Sequence, residues 1–128
     1  MTETSVHHDI PADEVSRWPL PGSGRTEARW QGLTDLARAD VVTGRLAEAH
    51  ADACAITHEL RADSPRPGQL WGVWAAQPPA PVLRAKPHAD IALLSGRKMW
   101  CSVSAVTSAC VQIPAPEHHI LRPDSRAM

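Results

Sequence analysis

Apolar residues in the first half of the chain recur at helical spacing. Trp30, Leu33 and Ala37 lie three and four apart, and beyond Asp40 the series Val42, Leu46, Ala49, Ala53, Ile56 and Leu60 keeps the same rhythm. That is the signature of one buried stripe. Thr26 is placed to cap a helix beginning at Glu27, whose acid suits the first turn. Asp40 is placed to cap a second helix or to mark a kink. Alanine at 47, 49, 51, 53 and 55 favours the helix and permits close approach by another element. Ser64, Pro65, Pro67 and Gly68 then end it. The pattern predicts one helical hairpin, or one broken helix, over residues 26–61.

The rhythm changes after that point. Leu70 to Ala76 is a short apolar run suited to a buried strand, and Pro78, Pro79 and Pro81 stop it. Ile91 to Leu94, a Ser95-Gly96 turn and Arg97 to Ser102 predict a β-hairpin, with a further strand in Val103 to Ile113. Residues 1–24, broken by Pro11, Pro19, Pro21, Gly22 and Gly24, show no sustained period. Residues 114–128 hold Pro, His and Arg with little apolar content. The expected organisation is a flexible leader over 1–24, a helical segment over 25–63, a partial β-domain over 69–113 and a disordered tail over 114–128. The fold class is α+β: an N-terminal α-helical hairpin followed by a partial antiparallel β-domain.

Composition narrows the function. The 128 residues carry 13 Lys plus Arg against 14 Asp plus Glu, a formal net charge of -1. No cation excess is available to neutralise phosphates, so no nucleic-acid partner is expected. No apolar run reaches the length of a membrane span, and the N-terminal residues carry acid and His where a signal peptide has a basic region and an apolar run. Three widely spaced cysteines, Cys54, Cys101 and Cys110, make no disulfide framework. A reduced, cytoplasmic setting is the expectation. With no Phe, no Tyr and five Trp, the core must be built from Ala, Leu and Val. Trp30, Trp71 and Trp74 are expected to supply its large pieces, and Trp18 to sit in the leader.

Two places carry candidate chemistry. His50, Cys54 and His58 fall at i, i+4 and i+8 of the predicted helix, on one side but drifting about 40° per step. Neighbouring pairs suit a shared metal ion, since imidazole and thiolate both bind zinc. One ion cannot be reached from both ends, because eight residues span roughly 12 Å. The plainer reading is a semi-exposed helix flank with a small buried cysteine, and no metal ligands are assigned. The His7-His8 and His118-His119 pairs fall in segments expected to be mobile. No serine stands in a nucleophile elbow, and Glu48, Asp52 and Glu59 read as helix-surface carboxylates. No catalytic residue is assigned. The second place is Leu94-Ser-Gly-Arg-Lys-Met-Trp-Cys-Ser102, where strand alternation would put Lys98, Trp100 and Ser102 on one face. An indole beside a hydroxyl is a chemically sensible wall for a planar heterocycle.

That second stretch resembles the Gly-x-Lys-x-Trp-[Ile/Val/Cys]-[Thr/Ser] strand of the acyl-CoA dehydrogenase flavoproteins. Leu70-Trp-Gly-Val-Trp-Ala-Ala-Gln-Pro78 is similar to the first strand of that family's β-domain, and Arg45 to Ala53 fits the helix before it. The resemblance covers about residues 25–113, in the family's order. It implies FAD as cofactor, with Trp100 and Ser102 lining the flavin ring and Ala75 and Ala76 at the end of the first strand. It implies an acyl-CoA substrate, α,β-dehydrogenation with hydride passing to the flavin, and a homo-oligomer. The likeness stops at Pro114, before the further strands and the four-helix domain that carries the Glu base. The expectation is therefore a truncated piece of such an enzyme, without turnover of its own. The alternative is a non-catalytic helical binding or assembly module whose Ala-rich helices pack on a partner.

Overall fold

The computed structural model describes residues 9–76, 79, 82–101 and 109–112. Three helices come first: α1 (Ala12–Val15), α2 (Thr26–Ala39) and α3 (Val41–Glu59). Four strands follow: β1 (Trp71–Trp74), β2 (Leu83–His88), β3 (Ile91–Gly96) and β4 (Ala109–Gln112). β1 pairs with β4 and β2 with β3, giving two two-stranded sheets among the described residues. The class is thus α+β, with helices preceding small sheets and an antiparallel β2–β3 pair. No described helix is long and apolar enough to cross a membrane. The chain divides into two compact units at Trp74–Ala75, with Cys101 and residues 109–111 returning to the first.

The helical hairpin forms where the apolar rhythm places it, and Asp40 is its hinge. Its backbone is extended (φ -156, ψ 119), and its carboxylate accepts from the N–H groups of Val42 and Thr43 and from the Thr43 hydroxyl. Such a cap satisfies amides that the first helical turn leaves without partners. α3 ends at a left-handed Arg61 (φ 53), with Ala62 N–H donating to Thr57 O and Arg61 N–H to His58 O. That is the Schellman arrangement, built here on a non-glycine residue.

The core of the first unit is small. Val15, Ala47 and Ala51 are buried together, with Trp18 and Leu36 packed against them. Residues 12–18, expected within a flexible leader, therefore supply a helical turn, the largest aliphatic side chain of that cluster and an indole. A single turn is too short to show a period. Its signals were local: Pro11 at the N-cap and Asp13 and Glu14 in the first turn. Residues 1–8 and 113–128, which hold the start of the expected leader and all of the expected tail, lie outside the described residues.

Trp30 does not enter the core. It is 68% exposed, and α2 has no buried residue at all. Trp18 takes the inner position, against Gly32, where an added Cβ would stand 2.8 Å from the indole. The stripe on α3 is correspondingly offset. Leu46 and Ala53 are buried as expected, but Val42 and Leu60 are exposed, and His50, Ala47 and Ala51 occupy the inner face. Arg29 fastens the hairpin from outside, donating to Pro19 O (3.3 Å) and pairing with Asp52 (3.2 Å).

The second unit corrects the predicted hairpin. The turn falls at Ala89–Asp90, between β2 and β3, and Ser95 and Gly96 end β3. Gly96 serves a close approach: at φ +108 a Cβ there would collide with the Val82 carbonyl oxygen. Residues 97–101 are in no strand. Ala89 adopts φ 50 at the first turn position while Asp90 does not share it, a pattern that favours glycine. Ala89→Gly is expected to slow hydrogen exchange of the Leu93 amide roughly fivefold, equivalent to about 1 kcal/mol. Unchanged or faster exchange would show that the turn carries no such strain.

Candidate functional site

The densest cluster of polar chemistry among the described residues surrounds His50. The inner face of α3 carries the imidazole to the junction of α1, α3 and the start of β1, where it is 0% exposed. Trp71 N–H donates to Nδ1 (3.0 Å), and Nε2 lies 2.8 Å from Ser16 Oγ. Ser16 Oγ also lies 2.9 Å from Ala12 O and 3.8 Å from Cys54 Sγ, which is itself 3.8 Å from Nε2. Asp13 accepts from Gly68 N–H (2.7 Å), tying the segment before β1 to α1. No buried side-chain nitrogen or oxygen among the described residues lacks a partner.

These contacts fix where the protons are. An amide N–H can only donate, so Nδ1 is the acceptor and the neutral ring carries its proton on Nε2. Nε2–H then donates to Ser16 Oγ, and the serine hydroxyl donates to Ala12 O. Burial pushes the His50 pKa down against a backbone contact with Ala12 and the charge of Asp13. It also pushes the Cys54 thiol up, against the Ser16 contact and the charge of Arg29. The group therefore has the membership of a nucleophile–base pair with the polarity reversed. The base's lone pair is capped by an amide, the serine proton points to a carbonyl, and the thiol is held protonated. Such an arrangement locks three elements together and activates no nucleophile.

His50, Cys54 and His58 separate as the helical drift requires: buried, half-buried and exposed in turn. Among the described residues no group of three or more His, Cys, Asp or Glu could hold a metal ion. Sequence reasoning missed Ser16, whose position in a segment read as leader hid its approach to His50.

The residues implied as flavin contacts lie elsewhere. Ala75 and Ala76 follow the end of β1, exposed and outside any strand. Trp100 is 64% exposed with φ 57, also outside any strand, and Ser102 lies outside the described residues. A flavin wall needs the indole and the hydroxyl on one strand face. Whether Trp100 and Ser102 share a face therefore lies outside the described residues. No protein-family model matches this chain, and no curated protein or solved structure matches it.

Proposed function

We propose that this chain works by binding and assembly and not by turnover. The observation that carries the reading is β3: all six of its residues are exposed, with Ile91, Leu93 and Leu94 at 61%, 51% and 53%. Contiguous exposed apolar residues of this kind mark a surface to be covered. An isolated two-stranded hairpin is itself marginal in water, which makes added strands stabilising. The first unit supports the same reading, since Trp30 and Leu60 are each 68% exposed and no residue of α2 is fully buried. Its one reactive-looking cluster is wired for structure. A cytoplasmic setting belongs to this proposal, because Cys54 is a thiol outside any disulfide.

A second reading is favoured by the ordered motifs at 45–53, 70–78 and 94–102. It makes the chain part of an acyl-CoA dehydrogenase-like FAD oxidoreductase, inactive alone, whose 97–101 segment becomes a strand only against further elements. Titration with FAD separates the two. The assembly reading expects colourless protein, an unchanged melting temperature and a solution mass above the monomer. A retained yellow flavin with a raised melting temperature would favour the oxidoreductase, since a ligand that binds only the folded state stabilises it.

A further inference from the structure

The β2–β3 hairpin has two edges of opposite character. In its register Leu83 faces Gly96, Ala85 faces Leu94, Lys86 faces Leu93 and His88 faces Ile91. Pro87 has no N–H to give to the ladder and is tolerated only where that group would face outward. Alternation then makes 88–91, 86–93 and 84–95 the hydrogen-bonded pairs, and leaves the amides and carbonyls of Ala92, Leu94 and Gly96 pointing away from β2. The β2 edge is blunted by Pro87 and by the basic residues Arg84, Lys86 and His88, the usual devices against strand addition. The β3 edge has none of them. It carries no charge and is exposed along its whole length.

We infer that β3 pairs with β3 of a second copy of this chain, making a four-stranded antiparallel sheet in the order β2–β3–β3–β2 about a two-fold axis. The inference rests on the assembly reading and names its surface. A two-fold axis through Leu94 sets each Leu94 opposite the other and each Ala92 opposite Gly96, which uses every outward-facing backbone group of the strand. The basic strands then lie outermost, three strand spacings or roughly 14 Å apart, beyond the reach of strong repulsion in salt. The same register brings Asp90 of the second copy to the end of β3, where Arg97 and Lys98 follow. Growth stops at two copies because each outer edge is the blunted one. A six-residue strand spans only about 20 Å, so the dimer is reversible and of the weaker interface class.

The test is sedimentation over a concentration series, with hydrogen exchange at its two ends. The full chain is expected to pass from monomer to dimer. Leu94→Lys, at an exposed position, is expected to weaken association by roughly tenfold or more, while Lys86→Glu leaves it in place. Amides of Ala92, Leu94 and Gly96 should gain protection with concentration, while those of Ile91, Leu93 and Ser95 are protected at both ends. An oligomer that withstands Leu94→Lys, with no gain at those amides, overturns β3 pairing but leaves the assembly reading standing. A monomer at every concentration overturns both. Species that keep growing beyond the dimer overturn the two-fold closure. Should Leu94→Lys fail to fold, the amide pattern of the unaltered chain decides alone.

Discussion

His50→Ala is expected to lower the unfolding free energy by about 3–5 kcal/mol, the range for emptying a large buried position that also holds hydrogen bonds. The His50 side chain is fully buried and is held at both ring nitrogens. Its removal opens a cavity beside Ala47 and Ala51, leaves Trp71 N–H without an acceptor, and frees Ser16 and with it α1. For a domain of ordinary stability that is a third or more of the total. His50→Asn keeps an acceptor on the Nδ1 side and is expected to fall between the two. Urea unfolding of the three proteins checks the order. A loss below about 1 kcal/mol for His50→Ala would show that the junction does not depend on the imidazole.

Acid should act on the same junction. Burial holds the folded His50 pKa below its usual value of 6.5. The unfolded chain therefore binds the proton more readily, and stability falls with pH below about 6.5 until the folded-state pKa is reached. Protonation would also put a proton on Nδ1, directly against Trp71 N–H, so release of β1 from α3 is the expected opening. The chain holds six other histidines, so the diagnostic quantity is a difference. The slope of stability between pH 7 and pH 5 should be shallower in His50→Asn than in the unaltered protein. Equal slopes would falsify the assignment of this proton to His50.

What the sequence made legible follows the range of the forces involved. The helical hairpin and its Asp40 cap are read from spacing and from one side-chain type, because a repeat of three and four residues is a local signal carried over five turns. The β1 strand is legible for the same reason, as an apolar run between turn residues. Trp18 and Trp30 exchanged roles because which indole faces inward depends on Gly32, not on the period of α2. The hairpin turn is not legible because glycine has two uses. Gly96 has the sequence signature of a turn residue, yet it is needed for approach to Val82, while the turn itself carries Ala89. The His50 junction was illegible for a different reason: Ser16 and Trp71 lie 34 and 21 residues away from it, and nothing local announces either.

Gly44→Ala is expected to destabilise the protein by about 1–3 kcal/mol, although on an exposed helix face the same change would stabilise it by about 1 kcal/mol. The reversal of sign comes from the crossing of α2 and α3. A Cβ on Gly44 would stand 2.7 Å from both Cα and Cβ of Ala37 and 3.0 Å from its amide nitrogen. Two of those three atoms are backbone, so relief requires the helices to move apart. Moving them would loosen Leu36 and Trp18 from the Val15–Ala47–Ala51 cluster. Gly32→Ala makes the useful contrast. Its clash is with the Trp18 ring at 2.8 Å, a side chain able to turn aside, so its cost should be smaller. Ala37→Gly removes only the Cβ from the obstruction and should rescue Gly44→Ala in part, giving a favourable coupling between the two positions in a double-mutant cycle. Thermal and urea unfolding of the unaltered chain, the three single variants and the double variant supply the comparison. A Gly44→Ala variant that is more stable than the unaltered chain would place α2 and α3 further apart than this packing allows.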